Sequence, residues 1–339
     1  MLLSYINHFR YMSPLLFASQ SAGASRVFRA IISALCIGWM GLAVAATSGI
    51  VGFYPVAVPA GNSAWVCGLV GADLYNAACV SVTADVDGKA LVEFSAPGWT
   101  VGAFNLHYAE PQSGSGAGLA IDILSNTATR LKLDTTPAAA GLTSGMTFIV
   151  RKHATLAGLL PDGGGLTPFG DTISLFGSNG LQTTYFFSNI SSTWITVLGA
   201  NASNATVRPG QGFVMQLGSA KTVTFGRGEI CYLKTTTTKI RAQAGVPNII
   251  GAMNPLGGAT ATLGSLGVTT SLQAFNDSVV TLAPGTLSQT GTYLSTGSSL
   301  VNSGTGQTSD STTIPAGAGV VINVNTSKNI TLAPVSVTP

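Results

Sequence analysis

Five landmarks occur twice in this chain, in one order and at nearly constant spacing, and a duplication constrains the fold more than any other feature. Ala154-Thr-Leu156-Ala-Gly-Leu159 returns as Ala261-Thr-Leu263-Gly-Ser-Leu266. Phe169-Gly-Asp171-Thr-Ile-Ser-Leu175 returns as Phe275-Asn-Asp277-Ser-Val-Val-Thr281, and Thr184-Tyr185 as Thr292-Tyr293. Val207-Arg-Pro209-Gly210-Gln-Gly212-Phe-Val returns as Ile314-Pro315-Ala-Gly317-Ala-Gly319-Val-Val, then Thr222-Val-Thr-Phe225 as Asn329-Ile-Thr-Leu332. The offsets run from 106 to 108. Upstream, Pro59-Ala-Gly61-Asn-Ser-Ala-Trp-Val66 parallels Gln243-Ala-Gly245-Val-Pro-Asn-Ile-Ile250 at an offset of 184. Between this opening and the Ala-Thr-Leu landmark lie 95 residues in the first copy and 18 in the second, so about 77 residues read as an insert.

Within each copy the apolar runs are short, often alternate with polar residues, and are bounded by Gly, Asn, Ser and Pro, as half-buried antiparallel strands require. Tyr185-Phe-Phe-Ser, Trp194-Ile-Thr-Val-Leu and Gly212-Phe-Val-Met-Gln-Leu are the clearest. Pro209, Gly210 and Gly212, like Pro315, Gly317 and Gly319, combine a fixed φ with residues tolerant of positive φ, so each set reads as a tight turn feeding a core strand. The insert is β-rich as well, with a hairpin signal at Asp85-Val-Asp87-Gly88. The expected class is all-β: two related antiparallel sandwich-like or barrel-like repeats, the first carrying a small barrel-like subdomain. The expected boundaries are a signal peptide over 1–46, a first repeat over 47–74 plus 153–233, an insert over 75–152, a second repeat over 234–334 and a tail over 335–339.

Export follows from the N-terminus. Arg10, Arg26 and Arg29 precede an apolar run from Ala30 to Leu42, and Ala43-Val-Ala45-Ala46 supplies a small-residue cleavage site. The run is short for a membrane span, so none is expected after cleavage. All twelve acids, but only twelve of the fifteen bases, lie beyond residue 46, so the exported body is formally neutral. A neutral body offers no basic field for nucleic acid. Only 8% of the side chains are charged, which leaves a surface of Ser, Thr, Asn, Gln and Gly.

The chemistry is sparse. Cys67, Cys79 and Cys231 are an odd set beyond the signal: either Cys67–Cys79 bridges in an oxidising compartment, or all three are small buried hydrophobes. The body holds two histidines, His107 and His153, and no Cys-x-x-Cys pair, so neither a metal nor a cofactor is expected. Both histidines read as exposed or hydrogen-bonded strand residues. Asp85-Val-Asp87-Gly88 lacks the later ligands of a calcium loop. Asp171 and Asp277 read as turn caps, and Pro161-Asp162-Gly-Gly-Gly165 as a flexible loop rather than a phosphate cradle. Trp65, Trp99, Tyr185 and Trp194 would stack on sugar rings if one face exposed them together; core packing is the competing reading.

Gly52-Phe-Tyr-Pro-Val-Ala-Val-Pro-Ala-Gly61, Ala96-Pro-Gly-Trp99-Thr, Ser115-Gly-Ala-Gly118-Leu, Gly145-Met-Thr-Phe-Ile-Val150 and both Pro-x-x-Gly turns resemble a family of uncharacterised exported all-β proteins of Verrucomicrobia-like bacteria. The Asn248 to Pro255 opening and the Pro-Gly-Gln-Gly-Phe-Val close also look like repeats in large secreted surface proteins of Bacteroidetes. The resemblance implies a location at the outer cell surface, in the extracellular space or in the periplasm, and it brings no catalytic residues. The expected role is a structural or interaction protein without catalysis, with glycans or other surface proteins as partners. A carbohydrate-binding module is the alternative, and a secreted hydrolase a third.

Overall fold

The computed structural model describes residues 53–66, 70–71, 73–177, 181–226, 230–231, 237–252, 261–315 and 318–334. The expected signal peptide, Cys67, Gly317 and Asn254-Pro255 lie outside them. Antiparallel strands dominate, and no helix is long and apolar enough to cross a membrane.

The chain enters through β1 (Phe53–Val58), β2 (Gly61–Val66) and the two-residue β3 (Val70–Gly71). Six strands then close a barrel in the order β4-β5-β8-β7-β6-β9. They are β4 (Asp73–Ala84), β5 (Ala90–Phe94), β6 (His107–Pro111), β7 (Ile121–Asn126), β8 (Arg130–Leu133) and β9 (Thr147–Lys152). Alternation is strict along β5, where Ala90, Val92 and Phe94 point in while Leu91 and Glu93 are half-buried between them, whereas β6 and β9 are buried at nearly every position. A six-stranded barrel is narrow enough for side chains to fill it, and Phe94, Leu131, Leu133, Phe148 and Val150 do so. The β4–β5 hairpin turns at Asp85–Lys89, where Gly88 adopts a φ of 78°. Asp85 and Asp87 both bind Lys132 Nζ at 2.7 Å, so the acidic tip is an ion-paired turn.

After the barrel the chain resumes the first repeat with β10 (Ala154–Thr155), a helical turn at Leu156–Leu159, and β11 (Thr172–Phe176), β12 (Gln182–Ser188), β13 (Thr193–Thr196), β14 (Thr206–Val207), β15 (Gly212–Leu217) and β16 (Lys221–Gly226). A short β17 (Ile230–Cys231) pairs with β3. The second repeat follows as β18 (Thr238–Ala242), β19 (Asn248–Ile250), β20 (Ala261–Thr262), β21 (Ser278–Leu282), β22 (Gln289–Ser295), β23 (Leu300–Asn302), β24 (Thr313–Ile314), β25 (Val320–Asn323) and β26 (Lys328–Leu332).

The duplication is visible strand by strand. The first five-stranded sheet has the order β13-β12-β11-β15-β2 and the second β23-β22-β21-β25-β19. The ribbon β1-β16 corresponds to β18-β26, and the bridge β10-β14 to β20-β24. Each core fills the space between its sheet, its ribbon and its short helical turn. In the first repeat Ile173, Phe213 and Met215 of the sheet meet Val58, Val223, Leu156 and Trp194. In the second, Val279, Val320 and Ile322 meet Ala242, Ile330, Leu332 and Leu263. Fully burying one such aliphatic side chain contributes about 1.5–3 kcal/mol.

Register changes one detail of the alignment. Phe213 pairs with Trp65 and its equivalent Val320 pairs with Ile250, so the second strands align at an offset of 185 although their leading glycines align at 184. The one-residue difference is taken up in the turn, because a slip inside a strand would invert its faces.

The two repeats meet edge to edge across a pseudo-two-fold relation. Trp65 bridges Ala318, and the equivalent Ile250 bridges Gln211, the equivalent of Ala318. Such reciprocal contacts define an isologous interface, here within one chain. Gly319 N donates to Ala64 O at 2.9 Å, while Asn62 N donates to Gly285 O and Gly285 N to Ser63 Oγ, both at 2.9 Å. The glycines of the repeated turns therefore need two explanations. Gly210 has a φ of 76° and performs the turn. Gly212 and Gly319 have no left-handed φ; instead a Cβ on Gly212 would lie 2.0 Å from Ile249 Cγ2, and one on Gly319 2.7 Å from the same atom. Close approach, not turn geometry, demands glycine there: Gly212 meets the other repeat, whereas Gly319 is crowded first by Ile249 of its own repeat and then by Ala64 of the other, at 3.3 Å.

Candidate functional site

Each repeat carries a clamp that the alignment marks by its acids alone. Asp171 accepts from Thr167 N at 2.7 Å, from Gly218 N at 2.8 Å, and from Lys221 Nζ. Asp277 accepts from Gln273 N at 2.7 Å, Asn325 N at 3.0 Å and Lys328 Nζ at 2.6 Å. The turn cap expected from sequence is present and is completed by a lysine from the ribbon strand. Lys221 and Lys328 stand 107 residues apart, so the repeat spacing itself pairs them.

Burial alone would raise both carboxyls, but the lysine and two backbone N–H groups overcome it and hold each below the ordinary value. A carboxyl depressed in the folded state contributes stability that is complete above its unfolded pKa of about 4 and is lost as pH falls through the folded value. The urea midpoint is therefore expected to stay level from pH 7 to about pH 5 and to fall below about pH 4. A midpoint unchanged down to pH 2 contradicts the clamp.

The clamp fixes an unusual neighbour. Phe169 and Phe275, two residues before each aspartate, adopt φ of 57° and 59° and stand 49% and 66% exposed. Their N–H groups donate to Phe187 O and Ser295 O, so the left-handed backbone is held from both sides. A bulky residue in this region costs about 1–2 kcal/mol.

The sugar-stacking platform, the less favoured of the two readings of the four aromatics, requires correction. Trp65 and Trp194 are 8% and 1% exposed and lie in the first repeat's core, where the Trp194 indole N–H donates to Leu160 O. Tyr185 is half-buried against the same core, whereas Trp99 is half-buried in the barrel among Tyr75, Phe94 and Phe104. Strand alternation sends the first three toward a hydrophobic interior, and the fourth belongs to another core. No single face presents them. Cys79 is a buried free thiol in the barrel core. The glycine run at 163–165 is not a loose loop: Gly163 and Gly164 are buried, and a Cβ on Gly163 would lie 2.6 Å from the Phe187 ring.

The histidines separate. His107 Nδ1 lies 2.6 Å from Asn105 O, and burial lowers its pKa. His153 is 5% exposed, with Nε2 at 3.0 Å from Asp122 Oδ1. Asp122 is also gripped by Arg208 through Nε at 3.1 Å and through Nη2. Burial would raise the Asp122 carboxyl, but the His153 and Arg208 hydrogen bonds hold it well below the carboxylate range. This trio ties the barrel to the first repeat. Sequence reading missed it because Asp122 and Arg208 are 86 residues apart, and although Arg208 lies in a repeated landmark, its counterpart in the second copy is Pro315, so repetition does not mark it. A nucleophile–histidine–carboxylate relay needs a hydroxyl or thiol on the second ring nitrogen. His153 Nδ1 is buried without a hydrogen-bond partner among the described residues. Nor do three His, Cys, Asp or Glu side chains converge among them to hold a metal.

Beside the trio, where barrel and both repeats meet, opens a cavity of about 420 Å³ lined by Asp122, Asp134, Phe176, Arg208, Lys239 and Arg241, among others. Its walls are fixed by polar contacts. Lys239 N donates to Gly118 O and Lys239 Nζ to Ser115 O, both at 2.8 Å, which joins the second repeat to the barrel. The Asn248 amide donates to Gln243 O, Val246 O and Ile322 O at 3.0–3.1 Å and fixes the turn before β19.

Fold and site define an all-β protein of two like sheets and an inserted barrel, with a preformed cavity at their junction. No protein family, curated protein or solved structure matches the chain.

Proposed function

We propose that this chain is an exported structural or interaction protein of the cell surface or extracellular space, and that it performs no catalysis. The signal-like N-terminus and the neutral Ser/Thr/Gly-rich body support export. The observation that carries the interaction role is the duplicated Phe169 and Phe275. Both repeats spend backbone strain to present a phenylalanine to solvent, and strain retained twice on a rigid clamp points to use. Two equivalent contacts on one rigid chain favour a repetitive partner, such as a surface polymer or an array of surface proteins.

Fractionation of the source cells is expected to recover the protein outside the cytoplasm; recovery in the cytoplasm alone defeats the reading. Phe169→Asn combined with Phe275→Asn is expected to leave stability within about 1 kcal/mol, because asparagine tolerates the left-handed region and little apolar burial is lost. The same variant is expected to reduce retention on the cell surface at least about tenfold if two contacts act together. Unchanged retention removes the role assigned to the pair.

A further inference from the structure

The three-way cavity carries a charge balance unlike that of the rest of the body. Three cations, Arg208, Lys239 and Arg241, face it against two carboxylates, Asp122 and Asp134. Both carboxylates are already neutralised. Asp122 is held by Arg208 and His153, and Asp134 receives Lys89 Nζ at 2.6 Å. Lys239 gives Ser115 O one of its three donors. The Arg241 guanidinium is exposed and has no hydrogen bond or ion pair among the described residues. Arg208 commits Nε and Nη2 to Asp122, and Nη1 remains. In a formally neutral body this junction gathers surplus positive charge, and part of it has no protein partner.

We infer that the cavity at the junction of the barrel and both repeats binds a carboxylate-bearing sugar, with Arg241 and Lys239 receiving the carboxylate. The volume of about 420 Å³ lies in the range of small-ligand sites, roughly 300–1,000 Å³. Lysine and arginine stand two residues apart on β18, which places them on one face of that strand, and both line the cavity. An arginine fork matches the two oxygens of a carboxylate. Phosphate fits less well, because Arg208 already pairs with Asp122 and Lys239 Nζ already donates to Ser115 O, which leaves Arg241 as the lining cation without a partner among the described residues to balance a dianion. Hydroxyls, in contrast, can donate to Asp134 and Thr135, while Phe176, Ile121 and Ile249 supply apolar wall for a ring face. This assignment is independent of Phe169 and Phe275.

Isothermal titration of the full chain tests it with glucuronate, polygalacturonate, glucose and inorganic phosphate. Glucuronate is expected to bind with a Kd of about 1 mM or tighter, and glucose and phosphate at least about tenfold more weakly. Arg241→Gln is expected to weaken glucuronate at least about tenfold, whereas Arg241→Lys, which keeps the charge, loses about threefold or less. Because the Arg241 guanidinium is bound to nothing described, both variants are expected to melt like the parent chain; Lys239→Gln gives a second reading if one does not. Polygalacturonate binding with glucuronate binding assigns a residue of an acidic polymer, and glucuronate binding alone assigns a free sugar acid. Silence with both, equal binding of glucose or phosphate, or Arg241→Gln titrating like the parent would overturn the inference.

Discussion

Asp277→Ala is expected to destabilise the protein by about 3–5 kcal/mol, the range for removing one partner of a buried, hydrogen-bonded charge pair. Asp277 is fully buried, and its loss strands the N–H groups of Gln273 and Asn325 together with the Lys328 ammonium. Asp277→Asn is expected to cost less, since one carbonyl oxygen still accepts from the backbone while Lys328 loses its counter-charge. The equivalent Asp171→Ala is expected to act alike in the first repeat. Because the two clamps share no partner, their effects should add to within about 0.5 kcal/mol. Urea or guanidinium unfolding measures each effect. A loss below about 1 kcal/mol for Asp277→Ala would show that the clamp does not hold the turn.

Gly212→Val is expected to cost about 3 kcal/mol or more through overpacking at the seam between the repeats. The first added carbon meets Ile249 Cγ2 at 2.0 Å and Ile249 O at 2.8 Å. Because the second contact is backbone, trimming the side chain with Ile249→Ala is expected to restore only part of the loss. Gly245→Ala separates this mechanism from ordinary glycine strain. Gly245 has a φ of 78° but nothing within 4 Å of an added Cβ, so about 1–2 kcal/mol is expected there. Equal losses at Gly212 and Gly245, read from the same unfolding curves, would rule out the seam as the cause.

Much of the architecture was legible because it is encoded locally and written twice. Alternation gave the strands, and Pro-Gly signals gave their turns. An alignment at 106–108 residues located equivalent strands before any contact was known. The same alignment marks Asp171 and Asp277 as turn caps, and Lys221 and Lys328 stand at the same spacing. The expected insert over 75–152 corresponds to barrel strands that begin at Asp73 and end at Lys152.

What escaped the sequence depends on which surface meets which. Alternation says that Trp65 and Trp194 point to one side of a strand but not whether that side faces solvent or a core. Glycine tolerates both a left-handed φ and a close neighbour, so Gly210 and Gly212 look alike in sequence and differ only once Ile249 of the other repeat is in place. The Asp122–His153–Arg208 lock and the cavity beside it join side chains from the barrel and the repeats, with no periodicity linking them. The sequence by itself determined an all-β, duplicated chain, because strand period and turn chemistry act over a few residues. Only the tertiary structure decided the seam, the buried tryptophans and the cationic cavity, because these arise from packing between segments whose separation along the chain carries no local signal.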